Sequence, residues 1–112
     1  MIYAADIKRG DIVWASMDPT TRGREQASDR PHLVLSVPAL HRATELLITV
    51  PLATASRPWP TRIAVNEQSH AICEQPRTLS IERVRRVSSG AVPLATVDRV
   101  SKVVGRLIGA TG

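Results

Sequence analysis

RGDIVWASMDPTTRGREQASDRPHLVLS, running from Arg9 to Ser36, is the stretch whose reading decides the fold. Gly10-Asp11 opens a β-branched and aromatic run, Ile12-Val13-Trp14, with Ala15 and Met17 beyond it. Turn formers and charges follow: Asp18-Pro19, Arg22, Gly23, Arg24, Glu25, Asp29 and Arg30. Pro31 then precedes Leu33-Val34-Leu35, a short apolar run suited to a buried strand. The stretch therefore reads as strand, long polar loop, strand. A structureless connection of that length is uncommon in a compact domain and usually serves a function. Here it sets guanidinium and carboxylate groups beside a rigid sheet.

Outward from this stretch the chain continues in short pieces. Pro38 to Thr44 reads as a turn or short helical piece, and Leu46-Leu47-Ile48-Thr49-Val50 as the clearest strand, continuing toward Leu52. Ala53 to Pro60 is a loop carrying Thr54, Ser56, Arg57 and Trp59. Arg62-Ile63-Ala64-Val65 alternates as a half-buried strand does. Asn66 to His70 turns the chain into a strand at Ala71-Ile72-Cys73, which runs into Glu74-Gln75. Ser80 can cap one helical turn ending at Arg83, and Val84 to Val92 is a last short strand interrupted by Ser88-Ser89-Gly90. Val97, Val100, Val103, Val104, Leu107 and Ile108 then fall at helical spacing, with Arg99, Lys102 and Arg106 mostly on the other face. Pro93 stands where a helix start tolerates it and Gly109 where a helix stops. Gly105 inside the helix costs about 1 kcal/mol relative to Ala, a cost that close packing on a sheet would explain. Short strands followed by one amphipathic helix predict a small twisted antiparallel sheet or partly closed barrel with a helical cap.

Composition narrows the class. A length of 112 residues, 43% of them hydrophobic, predicts one folded domain spanning 1–112, with no internal repeat. Two Trp, one Tyr and no Phe leave the core to Val, Leu and Ile. No run approaches the roughly 18 to 20 apolar residues of a membrane span, and nothing at the N-terminus marks the chain for export. Cys73 is the single cysteine, which excludes disulfides within the chain and multi-cysteine zinc sites and suits a cytoplasmic protein. Net charge is +5, with 15 Lys and Arg, nearly all of them Arg. Arg presents a planar fork suited to phosphate, so the bias points to an anionic partner, although an Arg-rich codon usage would produce the same charge.

Three segments in register carry a resemblance to a known family. The first is Arg9-Gly10-Asp11-Ile12-Val13-Trp14 with Asp18-Pro19, Gly23-x-Glu25-Gln26, Arg30-Pro31 and Leu33-Val34-Leu35-Ser36. The second is Val50-Pro51-Leu52-Ala53-Thr54-Ala55-Ser56, and the third Cys73-Glu74-Gln75-Pro76-Arg77-Thr78-Leu79. Together they resemble the MazF/PemK-type toxins, the ribonuclease halves of toxin–antitoxin pairs, over nearly the whole chain. The resemblance implies an SH3-like barrel, usually a symmetric homodimer. It further implies cleavage of single-stranded RNA within a short motif, inhibition of translation, and neutralisation by a MazE-like antitoxin whose acidic tail lies over the basic groove.

RNA cleavage without a metal needs a cation aimed at the phosphate, a group that takes or orients the 2′-hydroxyl proton, and a donor for the leaving oxygen. Arg30 is the candidate cation: it stands where the loop joins the second strand, and Pro31 fixes the backbone just after it. The plainer reading is a surface pair with Asp29 or Glu25. Thr54 matches the family's active-site Thr, where its hydroxyl would bond a phosphate oxygen or the 2′-hydroxyl; otherwise it completes a polar turn. Glu25 and Glu74 compete for the proton. The PemK-like branch pairs the acid at the Glu74 position with an Arg two residues earlier, and here that place holds Ile72, so weight moves to Arg30, Thr54 and Glu25. Glu74 otherwise holds Arg77 or the loop. Arg24, Gln26, Ser56, Glu74, Gln75 and Arg77 are the expected RNA contacts. Arg24 departs from the small hydroxyl residue usual in the family after Gly23.

His32, His41 and His70 form no set and read as surface residues, with His32 near enough to Arg30 to matter. Cys73 reads as a buried small hydrophobe. Trp14 reads as core or dimer interface, and Trp59, between Pro58 and Pro60, as a stacking ring or a ring packed in its own turn. No residues stand at metal-ligand spacing, so neither metal nor cofactor is expected. Two other readings remain: a toxin of the CcdB branch, which binds DNA gyrase, and a non-catalytic nucleic-acid-binding module of the same fold.

Overall fold

The computed structural model describes residues 1–16, 29–55 and 57–110. Seven strands and two helices lie within them: β1 (Ile12–Ser16), β2 (Asp29–Val34), α1 (Pro38–Thr44), β3 (Leu46–Ala53), β4 (Arg62–Ala64), β5 (His70–Ile72), β6 (Arg77–Ser80), β7 (Val84–Ser88) and α2 (Leu94–Leu107). All pairings among these strands are antiparallel.

The topology makes the sheet curl. Hydrogen bonding runs β6 to β3 to β2 to β1 to β7, so β6 and β7 stand at opposite ends of that row. Yet only a single 3-10 turn, Ile81–Arg83, joins them. Strands so far apart in the row can meet across three residues only if the sheet wraps round, which is the closure of a small barrel. Ser80 starts the turn as expected, its hydroxyl accepting from the Glu82 amide at 3.3 Å. β3 serves two neighbours along one edge: Leu46 to Thr49 pair with β6, and Leu52 and Ala53 pair with β5. The β4–β5 hairpin is thereby set beside the far end of β3.

Alternation along the strands separates two cores. Val13, Ala15, Val34, Leu47, Leu79, Ile81 and Val84 fill the barrel, with Ile7. Ile12, Leu33, Val50 and Leu52 point the other way and meet Ala71, Cys73, Val92, Val97 and Val100, so α2 is sealed over the outer face. Arg9 ties this helix down: its guanidinium donates to the Leu35 carbonyl at 2.6 Å, to Ser101 Oγ at 3.0 Å and to Asp98 Oδ1 at 2.6 Å. Gly10 sits beneath the helix start at φ 97°, where an added Cβ would stand 3.3 Å from the Val92 carbonyl oxygen.

Several expectations need correction. His32 and His41 are fully buried rather than superficial. The segment Arg77–Ser80 forms a strand of its own because β3 offers it a free edge. A Cβ on Gly105 would meet nothing nearer than the Ala110 carbonyl oxygen at 3.8 Å, so sheet packing does not account for that glycine.

Arg9→Met should lower stability by about 1–3 kcal/mol, because it strands the Leu35 carbonyl and Ser101. Asp98→Asn, at a position whose side chain is 62% exposed, should cost under about 1 kcal/mol. Urea midpoints of the two variants test the contrast.

Candidate active site

Antiparallel register brings the site residues to one end of the barrel. β1 pairs with β2 from Ile12↔Leu33 to Ser16↔Asp29, which sets Arg30 opposite Ala15. β2 pairs with β3 through His32↔Pro51, Leu33↔Val50 and Val34↔Thr49. β2 begins where β3 ends, so Arg30 and Thr54 leave the same end of the sheet. Both are exposed, and Thr54 occupies the bend just after β3. Thr49 also pairs with Arg77, and its hydroxyl donates to the Arg77 carbonyl at 3.0 Å. Directly opposed residues share a face. Arg30, His32, Thr49, Pro51 and Arg77 therefore share the barrel face, and the charges of both guanidiniums act on the His32 ring. Arg77 Nη2 also donates to Gln75 Oε1 at 3.3 Å, which groups Gln75 with them.

Glu25, Arg24, Gln26 and Ser56 lie outside the described residues. The structure thus places five of the nine expected site residues: Arg30, Thr54, Glu74, Gln75 and Arg77.

Glu74 has a partner other than the two anticipated. Arg62 Nε and Nη2 both donate to Glu74 Oε2, at 3.3 and 3.0 Å. The Arg62 side chain is 9% exposed and that of Glu74 30%. Arg62 also lies over the Trp59 ring, 4.7 Å from its centroid, with Arg57 at 5.8 Å. Trp59 remains 49% exposed. Trp14 carries Arg86 in the same way at 4.5 Å, and β7 supplies that Arg directly opposite it. Burial pushes the Glu74 carboxyl up, but hydrogen bonds from Arg62 and Thr61 outweigh it and hold the group below the usual range. A carboxylate so held is a weak proton acceptor at neutral pH.

Burial, with the Arg77 and Arg30 charges added, lowers His32 below 6.5 despite its bond to the Arg30 carbonyl. Cys73 is raised to about 11 by burial, reinforced by the Glu74 charge. It stays a thiol at neutral pH, as its packing in the outer core suits. A cavity of about 490 Å³ lined by Met1, Tyr3, Glu45 and Ile81 opens at the start of β3, the end opposite Thr54, and has no part in this chemistry.

Sequence reasoning missed Arg62 as the holder of Glu74 and His32 as a buried member of the group. The second had a signal: His32 and Val34 are two apart, so they share a face, and Val34 belongs to an apolar run.

Residues 8–108 match the family described as "PemK-like, MazF-like toxin of type II toxin-antitoxin system". The chain therefore belongs to the PemK-like, MazF-like family, a family of toxins of type II toxin–antitoxin systems. It is 28% identical over 110 residues to "Endoribonuclease toxin MazF" of Escherichia coli (strain K12), covering 96% of both chains. It is 29% identical over 113 residues to "Endoribonuclease PemK" of Escherichia coli, covering 92% of this chain and 80% of that one. Its fold superposes on that of the MazE–MazF crystal structure (Form-II) from Deinococcus radiodurans with TM-score 0.79 at 23% identity, over 94% of this chain and 97% of that one.

Glu74→Gln should destabilise the protein by about 1 kcal/mol at pH 7, near the upper end for a partly exposed pair. The folded pKa lies below the unfolded one, so the pair's contribution is present above about pH 4.5 and is lost as pH falls through the folded value. The stability gap between wild type and variant should therefore close on acidification, as followed by urea unfolding at a series of pH values.

Proposed function

We propose that this chain is a metal-independent, sequence-selective endoribonuclease toxin that cuts single-stranded RNA and thereby blocks translation. One observation carries the reading: Arg30 and Thr54 leave the same end of the sheet, in a chain that matches a toxin family over residues 8–108. Homology to proteins named endoribonucleases supports the activity.

In the reaction a 2′-hydroxyl attacks the adjacent phosphorus. The 2′-O–P bond forms as the P–O5′ bond breaks, and negative charge gathers on the non-bridging oxygens. Arg30 meets those oxygens with its fork, and a guanidinium remains charged throughout. Thr54 contributes a hydroxyl to a phosphate oxygen or to the 2′-hydroxyl. Glu25 is assigned the 2′-hydroxyl proton, since Glu74 is held by Arg62; the leaving 5′-oxygen takes up a proton as it departs. Arg77 and Gln75 bind the RNA backbone with Arg24, Gln26 and Ser56, and Glu74 acts in this group by fixing Arg62.

The partner follows from charge. At +5 the chain suits an inhibitor with an acidic tail laid over Arg30. Relatives of this fold have been crystallised as MazE–MazF complexes, which supports an antitoxin partner. The working form is a homodimer in the cytoplasm, and residues 1–112 act as one toxin domain.

The test is incubation of a long single-stranded RNA in EDTA with wild type, Arg30→Ala and Thr54→Ala. Wild type should yield discrete fragments ending in 2′,3′-cyclic phosphate or 3′-phosphate, read by mass spectrometry. Arg30→Ala should lose about 10²–10³-fold in rate, as removal of a transition-state donor does. Thr54→Ala should lose about tenfold or more, the worth of one hydrogen bond to a charged group. Intact RNA across varied sequences would direct attention to gyrase inhibition.

A further inference from the structure

Two histidines are fully buried, and each sets its Nδ1 against a backbone carbonyl oxygen. His41 Nδ1 lies 3.0 Å from the Ile7 carbonyl oxygen, and its Nε2 lies 2.6 Å from Ser36 Oγ. A carbonyl only accepts, so Nδ1–H donates, and Nε2 is paired with the Ser36 hydroxyl; the ring is satisfied at both ends. His32 Nδ1 likewise lies 3.0 Å from a carbonyl oxygen, that of Arg30. Its Nε2 is then a bare lone pair, buried and with no hydrogen-bond partner among the described residues.

Position makes the difference matter. His41 pins α1 far from the chemistry, whereas His32 lies at the site end of the barrel. Arg30 precedes it on the same face, and Arg77 faces it from β6. The neighbours on β1 and β3, Val13, Thr49 and Pro51, carry no charge. A second proton would place a buried N–H donor without an acceptor among the described residues, and a third cation within the influence of the Arg30 and Arg77 charges. The charged ring would keep its Nδ1–H on the Arg30 carbonyl, so it is the hydration of the new Nε2–H that draws the ring out of the barrel end and loosens that bond.

We propose that His32 is the positioning residue of this site: its uncharged ring ties the start of β2 and keeps Arg30 and Arg77 directed at one anionic ligand, and protonation closes the site. The proposal rests on the reading of Arg30 as the phosphate-binding cation. In its terms cleavage carries an acid limb below pH 6.5 that belongs to His32.

Imidazole nitrogen NMR on the unliganded protein tests the charge state without reference to activity. The Nδ1–H tautomer at neutral pH and a midpoint below 6.5 are expected; the Nε2–H tautomer, or a midpoint at or above 6.5, overturns the proposal. The pH profile of kcat/KM, which reports the free enzyme, should show its acid limb at that same midpoint. His32→Gln should lower the neutral-pH rate about tenfold, chiefly in kcat, and abolish the limb at the His32 midpoint, leaving only the more acidic one of a carboxylate base; a limb that persists at the His32 midpoint overturns the assignment. Arg77→Gln, which removes one repelling charge, should move both the NMR midpoint and the limb upward together. If His32→Gln does not fold, an unmoved midpoint or limb in Arg77→Gln is decisive against the proposal. If wild type cleaves no RNA, the endoribonuclease reading fails by itself. Binding of a deoxyoligonucleotide across the same pH range then replaces the rate, with affinity expected to fall through the His32 midpoint and a flat profile overturning the proposal.

Discussion

The rest of the structure depends on β2 being buried on both faces and paired on both edges. Asp29 to Leu33 pair with β1 on one side, and His32 to Val34 pair with β3 on the other. Leu33 enters the outer core under α2, while Val34 enters the barrel. A one-residue slip would exchange those faces and drive Leu33 and Val34 into the wrong cores, so the register is strongly specified. That register is what delivers Arg30 to the strand end, His32 to the barrel face, and the start of β2 to the end of β3. Pro31 completes the arrangement, since its ring restricts the Arg30 backbone to extended conformations.

Electrostatics at this end follow from what surrounds each charge. Arg30 is exposed at its strand end, Arg77 is half-buried, and burial and both guanidiniums lower the pKa of the His32 ring. Glu74, which could have neutralised them, is turned toward Arg62 and Trp59 instead. The positive end of the barrel is thus maintained by a carboxylate committed elsewhere. Two guanidiniums at one end of the barrel favour an anionic ligand.

Much of the fold was legible because local rules and burial agree. The alternation of Arg62-Ile63-Ala64, the spacing of Val97, Val100 and Val104, and the Ser80 cap each correspond to an observed element. The Arg77–Ser80 strand was not legible, because RTLS has little pattern of its own and becomes a strand only where β3 presents an unpaired edge. The histidines were misplaced for a related reason. A polar ring is read as superficial by default, and only the tertiary partners, Ile7 and Ser36 for His41 and the Arg30 carbonyl for His32, make burial tolerable.

The sequence by itself determined the order of strands, the capping helix, the family pattern and the identity of Arg30 and Thr54 as the pair to examine. Periodicity, turn chemistry and short motifs are properties of neighbouring residues, and neighbours are visible along a chain. Only the tertiary structure decided that Arg62 rather than Arg77 holds Glu74, that Arg62 covers Trp59, and that His32 lies buried within the influence of the Arg30 and Arg77 charges. Those contacts join residues on different strands. Barrel closure and register bring them together, and both are set by the global packing of two cores rather than by any local stretch.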